Sequence, residues 1–92
     1  MNLKVLLLEN ITTTLAVMNY TFVDFIEFSN EIQYFFEKGN NCLGVYFDYF
    51  ENKIVFELCE IETNNVLDKI EIELSFDIFD TIETKLEILL KS

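Results

Sequence analysis

Two thiols, Cys42 and Cys59, and 17 Asp or Glu side chains are the main groups this 92-residue chain offers for chemistry. It has no His, and all six of its basic residues are Lys. That removes imidazole acid/base catalysis, His metal ligation, Ser-His-Asp and Cys-His nucleophiles, and arginine clamps on phosphate or guanine. A thiol becomes a nucleophile when a base or cation lowers its pKa, and a net charge of −11 does the reverse, so both cysteines read as inert. The acids Glu60/Glu62, Glu71/Glu73 and Asp24/Glu27/Glu31 could offer oxygens to Ca²⁺ or Mg²⁺. None follows an EF-hand spacing, and strand acids two apart usually form a polar face. Paired carboxylates about 5–9 Å apart can hydrolyse glycosides, but a small domain without Trp has little to stack on a sugar. The expectation is a protein that is not an enzyme, with no catalytic residue, no cofactor and no metal.

Recognition is the chemistry that remains. Residues 43–50, 53–61 and 66–74 alternate apolar with polar and are divided by Glu51-Asn52 and Thr63-Asn64-Asn65, which predicts a three-stranded antiparallel meander. Its inward face takes Val45, Phe47, Tyr49, Ile54, Phe56, Leu58, Val66, Asp68, Ile70, Ile72 and Leu74, with Asp68 at the fraying end. A two-residue turn at 51–52 sets Phe47 against Phe56 and Tyr46 against Glu57; a three-residue loop at 63–65 sets Phe56 against Ile72 and Glu57 against Glu71. The same register leaves Cys42 and Cys59 two positions out of step, against a disulfide. The outward face then mixes acids with aromatic rings where an ordinary solvated face would mix acids with lysines. Tyr46, Asp48, Phe50, Glu57, Glu71 and Glu73 are the candidate partner-binding residues: carboxylates to meet Lys or Arg, and rings as desolvated anchors.

The elements around this sheet follow from spacing. Phe22, Phe25, Ser29, Ile32 and Phe36 recur at helical intervals, Thr21 can cap and Gly39 can terminate, so a central helix is expected over 21–38. Ile78, Ile82, Leu86 and Leu89 predict a C-terminal helix over 77–90, opened by Asp77 or Asp80. Residues 3–18 fit either a β-hairpin or a helix, the β-branched run Ile11 to Thr14 leaning toward strand. The fold class is α+β, with 1–92 as one acidic globular domain.

With 51% apolar and 15% aromatic residues, the chain has the means to bury a core that a disordered acidic tail would lack. Its only two cysteines lack C-x-x-C spacing, and the run Val5–Leu8 stops at Glu9-Asn10, too short for a signal or a membrane span, so a cytoplasmic protein is expected. The charge opposes contact with nucleic acid or an anionic membrane and favours a basic protein partner, above all a nuclease or other nucleic-acid enzyme with a cationic groove. In size and charge, though in no sequence motif, the chain resembles the small acidic immunity proteins that neutralise bacterial nuclease toxins. The resemblance implies a protein inhibitor. Two alternatives share the composition: a phage-encoded inhibitor of a host defence nuclease that mimics nucleic-acid charge, and a structural or adaptor homodimer joined by an unpaired sheet edge or an aromatic face.

Overall fold

In a computed structural model, which describes residues 3–29, 31–48, 51–74 and 78–90, Leu7, Ile11 and Leu15 form a fully buried stripe at four-residue spacing. They belong to a helix, α1 (Leu3–Val17), so the N-terminal segment is helical despite its β-branched run. Tertiary burial of one stripe outweighs the few tenths of a kcal/mol per residue that Ile and Thr cost a helix. Asn19 ends it with a φ of 68°, while the Tyr20 N–H donates to the Leu15 carbonyl (2.8 Å) and the Asn19 N–H to Ala16 (3.0 Å). This is a Schellman closure, and it folds Tyr20 into the core.

The expected helix over 21–38 is instead a hairpin of β1 (Thr21–Glu27) and β2 (Glu31–Lys38). The aromatic spacing suits a helix, but Ile32, Tyr34 and Phe36 also alternate with Gln33, Phe35 and Glu37. Phe, Tyr, Val and Ile are better strand than helix residues, and a period of two lets an adjacent strand bury them. Thr21 caps no helix, and Gly39, at φ 59°, occupies the first position of a two-residue turn closed by Lys38 and Asn41 rather than a helix terminus.

β3 (Asn41–Asp48), β4 (Lys53–Glu60) and β5 (Val66–Glu73) are the expected meander, extended by β1 and β2 into a five-stranded antiparallel sheet in sequence order. Its register differs from the expected one by two residues. Asp48 pairs with Lys53, so Phe47 faces Ile54, Val45 faces Phe56 and Tyr46 faces Val55; Phe56 meets Ile70 and Glu57 meets Lys69. A slip of two keeps side chains on their own faces, which is why the faces were legible and the partners were not. The exception is Val66, expected inward, which an irregularity beside Leu58 and Cys59 sets opposite Cys59 on the other face, 55% exposed. Cys42 and Cys59 are therefore directly opposite, not out of step, and both thiols are free. Tyr49, Phe50 and Asp77 lie outside the described residues.

The C-terminal helix, α2 (Ile78–Leu90), buries the expected Ile78, Ile82, Leu86 and Leu89. Both helices lie on one face of the sheet, where their stripes meet Phe36, Leu43, Val45, Phe47, Ile54, Phe56, Leu58 and Ile72. Two layers around one core leave the other sheet face without a helix.

Candidate protein-binding face

That helix-free face can be read row by row across β2, β3, β4 and β5. One row is Glu31, Asp48, Lys53 and Glu73; the next is Gln33, Tyr46, Val55 and Glu71; then Phe35, Gly44, Glu57 and Lys69; and last Glu37, Cys42, Cys59 and Val66. β1 adds Asp24 and Ile26 beside Phe35 and Gln33. Among the described residues, seven carboxylates thus share the face with two lysines. Of those lysines, Lys53 is held by Glu51 (2.5 Å) and Glu71 (3.2 Å), whose carboxylates raise its pKa through hydrogen bonds.

Tyr46 organises the centre. Its ring lies over Gly44, where a Cβ would fall 2.5 Å from Oη and 2.7 Å from Cζ, so the absence of a side chain at 44 is what lets the ring lie down. Its edge meets the Phe35 ring at 6.3 Å, and its cross-strand partner Val55 is only 7% exposed although it lies opposite the main core. Phe35, Tyr46 and Val55 therefore form an apolar centre within the acidic surface.

Glu57 sits beside that centre. Its Oε1 accepts from Tyr46 Oη (3.3 Å), a diagonal neighbour, and from Cys59 Sγ (3.5 Å). Burial, then the Glu57 charge, pushes the Tyr46 hydroxyl well above the usual phenol range. Burial also raises Cys42, with Glu37 adding to it, and burial together with the Glu57 hydrogen bond pushes Cys59 up to about 11. Both thiols are consequently protonated near neutrality and poor nucleophiles.

Of the six residues singled out from sequence, Tyr46, Asp48, Glu57, Glu71 and Glu73 share this face; Phe50 lies outside the described residues. The expected contact of Glu57 with Glu71 is not there. Glu57 faces Lys69 and Glu71 faces Val55, so no like charges are paired between β4 and β5; the like pair on this face is Glu31 with Asp48, between β2 and β3. Asp48 accepts the Glu51 N–H (3.1 Å) and so shapes the turn as well as the surface. Glu71 and Glu73 are the exposed acids, whereas Glu57 is half-buried. Phe35 and Gly44 were missed. The alternation within 32–37 was the signal for Phe35, and an interior strand glycine beside an aromatic was the signal for Gly44.

Among the described residues no group of three or more Cys, Asp or Glu converges as metal ligands, and no helix is long and apolar enough to cross a membrane. Comparison with protein-family models, with curated proteins and with solved structures found no match.

Proposed function

We propose that the chain is a small acidic inhibitor that binds a basic protein, a nucleic-acid-processing enzyme such as a bacterial nuclease toxin, and covers its cationic site. One observation carries the reading: the helix-free face holds seven carboxylates against two lysines, disposed around the apolar centre of Phe35, Tyr46 and Val55. Carboxylates at the rim steer a cationic partner and set the salt dependence, while the rings supply the desolvated contact that holds it. Inhibition is by occupation rather than by chemistry, since the thiols beside Tyr46 are held protonated. The inhibitor acts in the cytoplasm, where such an enzyme meets its nucleic acid.

The test uses the chain and its E71K/E73K variant as parallel baits in lysate of the source cell. Both replaced residues are exposed, so the variant keeps its fold while its net charge moves from −11 to −7. The expected result is one basic nucleic-acid enzyme retained by the native chain at low salt, released at high salt, missing from the variant, and losing activity as the chain is titrated in. Retention by both baits alike would take this face out of the interface. The identity of the enzyme separates toxin immunity from the inhibition of a host defence nuclease.

A further inference from the structure

β1 is an edge of the sheet, and all seven of its residues are exposed. Its composition is not that of a strand facing water. Phe22 (48%), Val23 (51%), Phe25 (53%), Ile26 (43%) and the following Phe28 (49%) stand open, and no residue from 21 to 28 is basic. Stable monomers usually blunt such an edge with lysine, proline, a bulge or a covering element, and β1 has of these only an irregularity between Phe22 and Asp24, which leaves Asp24 to Glu27 in regular register. The Phe28 N–H donates to the Glu31 carbonyl at 2.8 Å. Antiparallel alternation then turns the amides of Ile26 and Asp24 toward β2 and those of Phe25 and Glu27 away from it. The outward Phe25 N–H is taken by the Asp24 carboxylate at 2.8 Å, a local stand-in for a strand partner.

We propose that this edge pairs with β1 of a second copy of the chain, antiparallel about a two-fold axis at Phe25, to make a continuous ten-stranded sheet. In that register the two Phe25 residues exchange N–H and carbonyl groups, Asp24 of each copy lies across from Ile26 of the other, and Phe22 approaches Phe28. No acid meets an acid. Registers centred on Asp24 or Glu27 set two carboxylates face to face, at a cost in the ladder.

The area suffices for a dimer of modest affinity. With about 150–250 Å² available on an aromatic side chain, the three half-open rings, Val23 and Ile26 contribute on the order of 400 Å² per copy. Two copies and their paired main chains approach the roughly 1,200 Å² at which specific interfaces begin. The axis is perpendicular to the sheet, so both pairs of helices lie on one side and both acidic faces on the other. The pairing does not depend on what the acidic face binds.

Sedimentation equilibrium of the whole chain at about 100 µM, a concentration at which a micromolar dimer is mostly formed, decides the matter. The expected result is twice the 10.9 kDa chain mass, with association strengthening from dilute to about 0.5 M salt as repulsion between the two anionic copies is screened. Phe25→Lys, which sets two lysines across the axis, and Val23→Glu, which faces Glu27 of the other copy, are both at exposed positions and should each return the monomer mass with an unchanged far-ultraviolet spectrum; two variants keep the test decisive if one misfolds. A monomer at both salts, a dimer that either folded variant leaves intact, or a dimer that dissociates in high salt would overturn the pairing. Capture of a basic enzyme weakens with salt where this contact tightens, so the failure of one idea is separable from the failure of the other.

Discussion

Gly44 and Tyr46 show how one residue's missing atoms set another's place. A methyl group at 44 must displace the Tyr46 ring, which loses its bed, its contact with Phe35 and its hydrogen bond to Glu57. Gly44→Ala should cost about 1–3 kcal/mol, the range for overpacking, and adding Tyr46→Ala should recover part of it, because the clash is then gone. Urea denaturation of the two single variants and the double variant reads the coupling directly. In α1, the Asn10 side-chain oxygen is buried with no hydrogen-bond partner. Asn10→Leu should therefore stabilise by about 1 kcal/mol, raising Tm by roughly 4–8 °C in a domain of this size.

The Cys59 thiol gives a pH dependence of defined sign. Its ordinary value of 9.0 rises to about 11 in the fold, so the protonated form is favoured by the native state. Its contribution is whole below pH 9 and lost as the pH climbs toward about 11, where the unfolded chain ionises first. Stability measured across that window should fall, and fall less steeply in Cys59→Ser. Alkylation of Cys59 in the native chain should also run about tenfold or more slower at pH 8 than that of an unhindered cysteine.

At the scale of elements, Phe56 stands at the middle of the sheet and is fully buried beneath the helices. Phe56→Ala should cost about 3–5 kcal/mol and leave little folded protein, a larger effect than exchange of the exposed acids on the helix-free face. The ladder itself is open to test. The Ile61 N–H donates to the Asn40 carbonyl (2.7 Å), which makes Val45 and Phe56 a non-hydrogen-bonded pair with Cα atoms about 4.5 Å apart. A strong contact between their α protons in NMR is expected; the same contact between Phe47 and Phe56 would mean the register that a two-residue turn at 51–52 imposes.

These elements also show what the sequence could and could not reveal. The stripe Ile78, Ile82, Leu86 and Leu89 has only one periodicity, and α2 follows from it. The inward sets of β3 and β4 were equally legible, because a period of two assigns faces before partners are known. Residues 21–38 satisfied two periods at once, and the choice between them rested on whether a neighbouring strand was there to pair with, which is long-range information. Register failed for a related reason: the two-residue slip is neutral to the hydrophobic pattern, and turn geometry set it through Asp48, whose carboxylate holds the Glu51 N–H, and Asn52, at a φ of 54°. The acidic face survived both errors. Its members on β3 and β4, and Lys69, Glu71 and Glu73 on β5, follow from parity with only their partners changed, whereas Asp24, Glu31, Phe35 and Glu37 come from the segment expected as a helix.

For the whole molecule, the two-layer build leaves a face that no described element covers, and the distribution of charge makes that face anionic. The 19 Å short axis is that of one sheet and one helix layer, with no third layer to screen the surface. Long-range attraction to a basic groove follows from this arrangement, and it weakens as the Debye length shrinks from about 30 Å at 0.01 M salt to about 10 Å at 0.1 M. Exposed ion pairs such as Lys53 with Glu71 contribute little to the fold because solvent screens them, so these acids can be replaced without unfolding the protein.

The most direct measurement is calorimetric titration of the retained basic enzyme with the native chain and with E71K/E73K, each at low and at high salt. A tenfold or greater loss of affinity on raising the salt, and a comparable loss on reversing the two exposed acids at low salt, is the predicted outcome, with inhibition of the enzyme falling in step. Equal affinity for native chain and variant, unmoved by salt, would contradict the claim that the helix-free acidic face is the surface that binds.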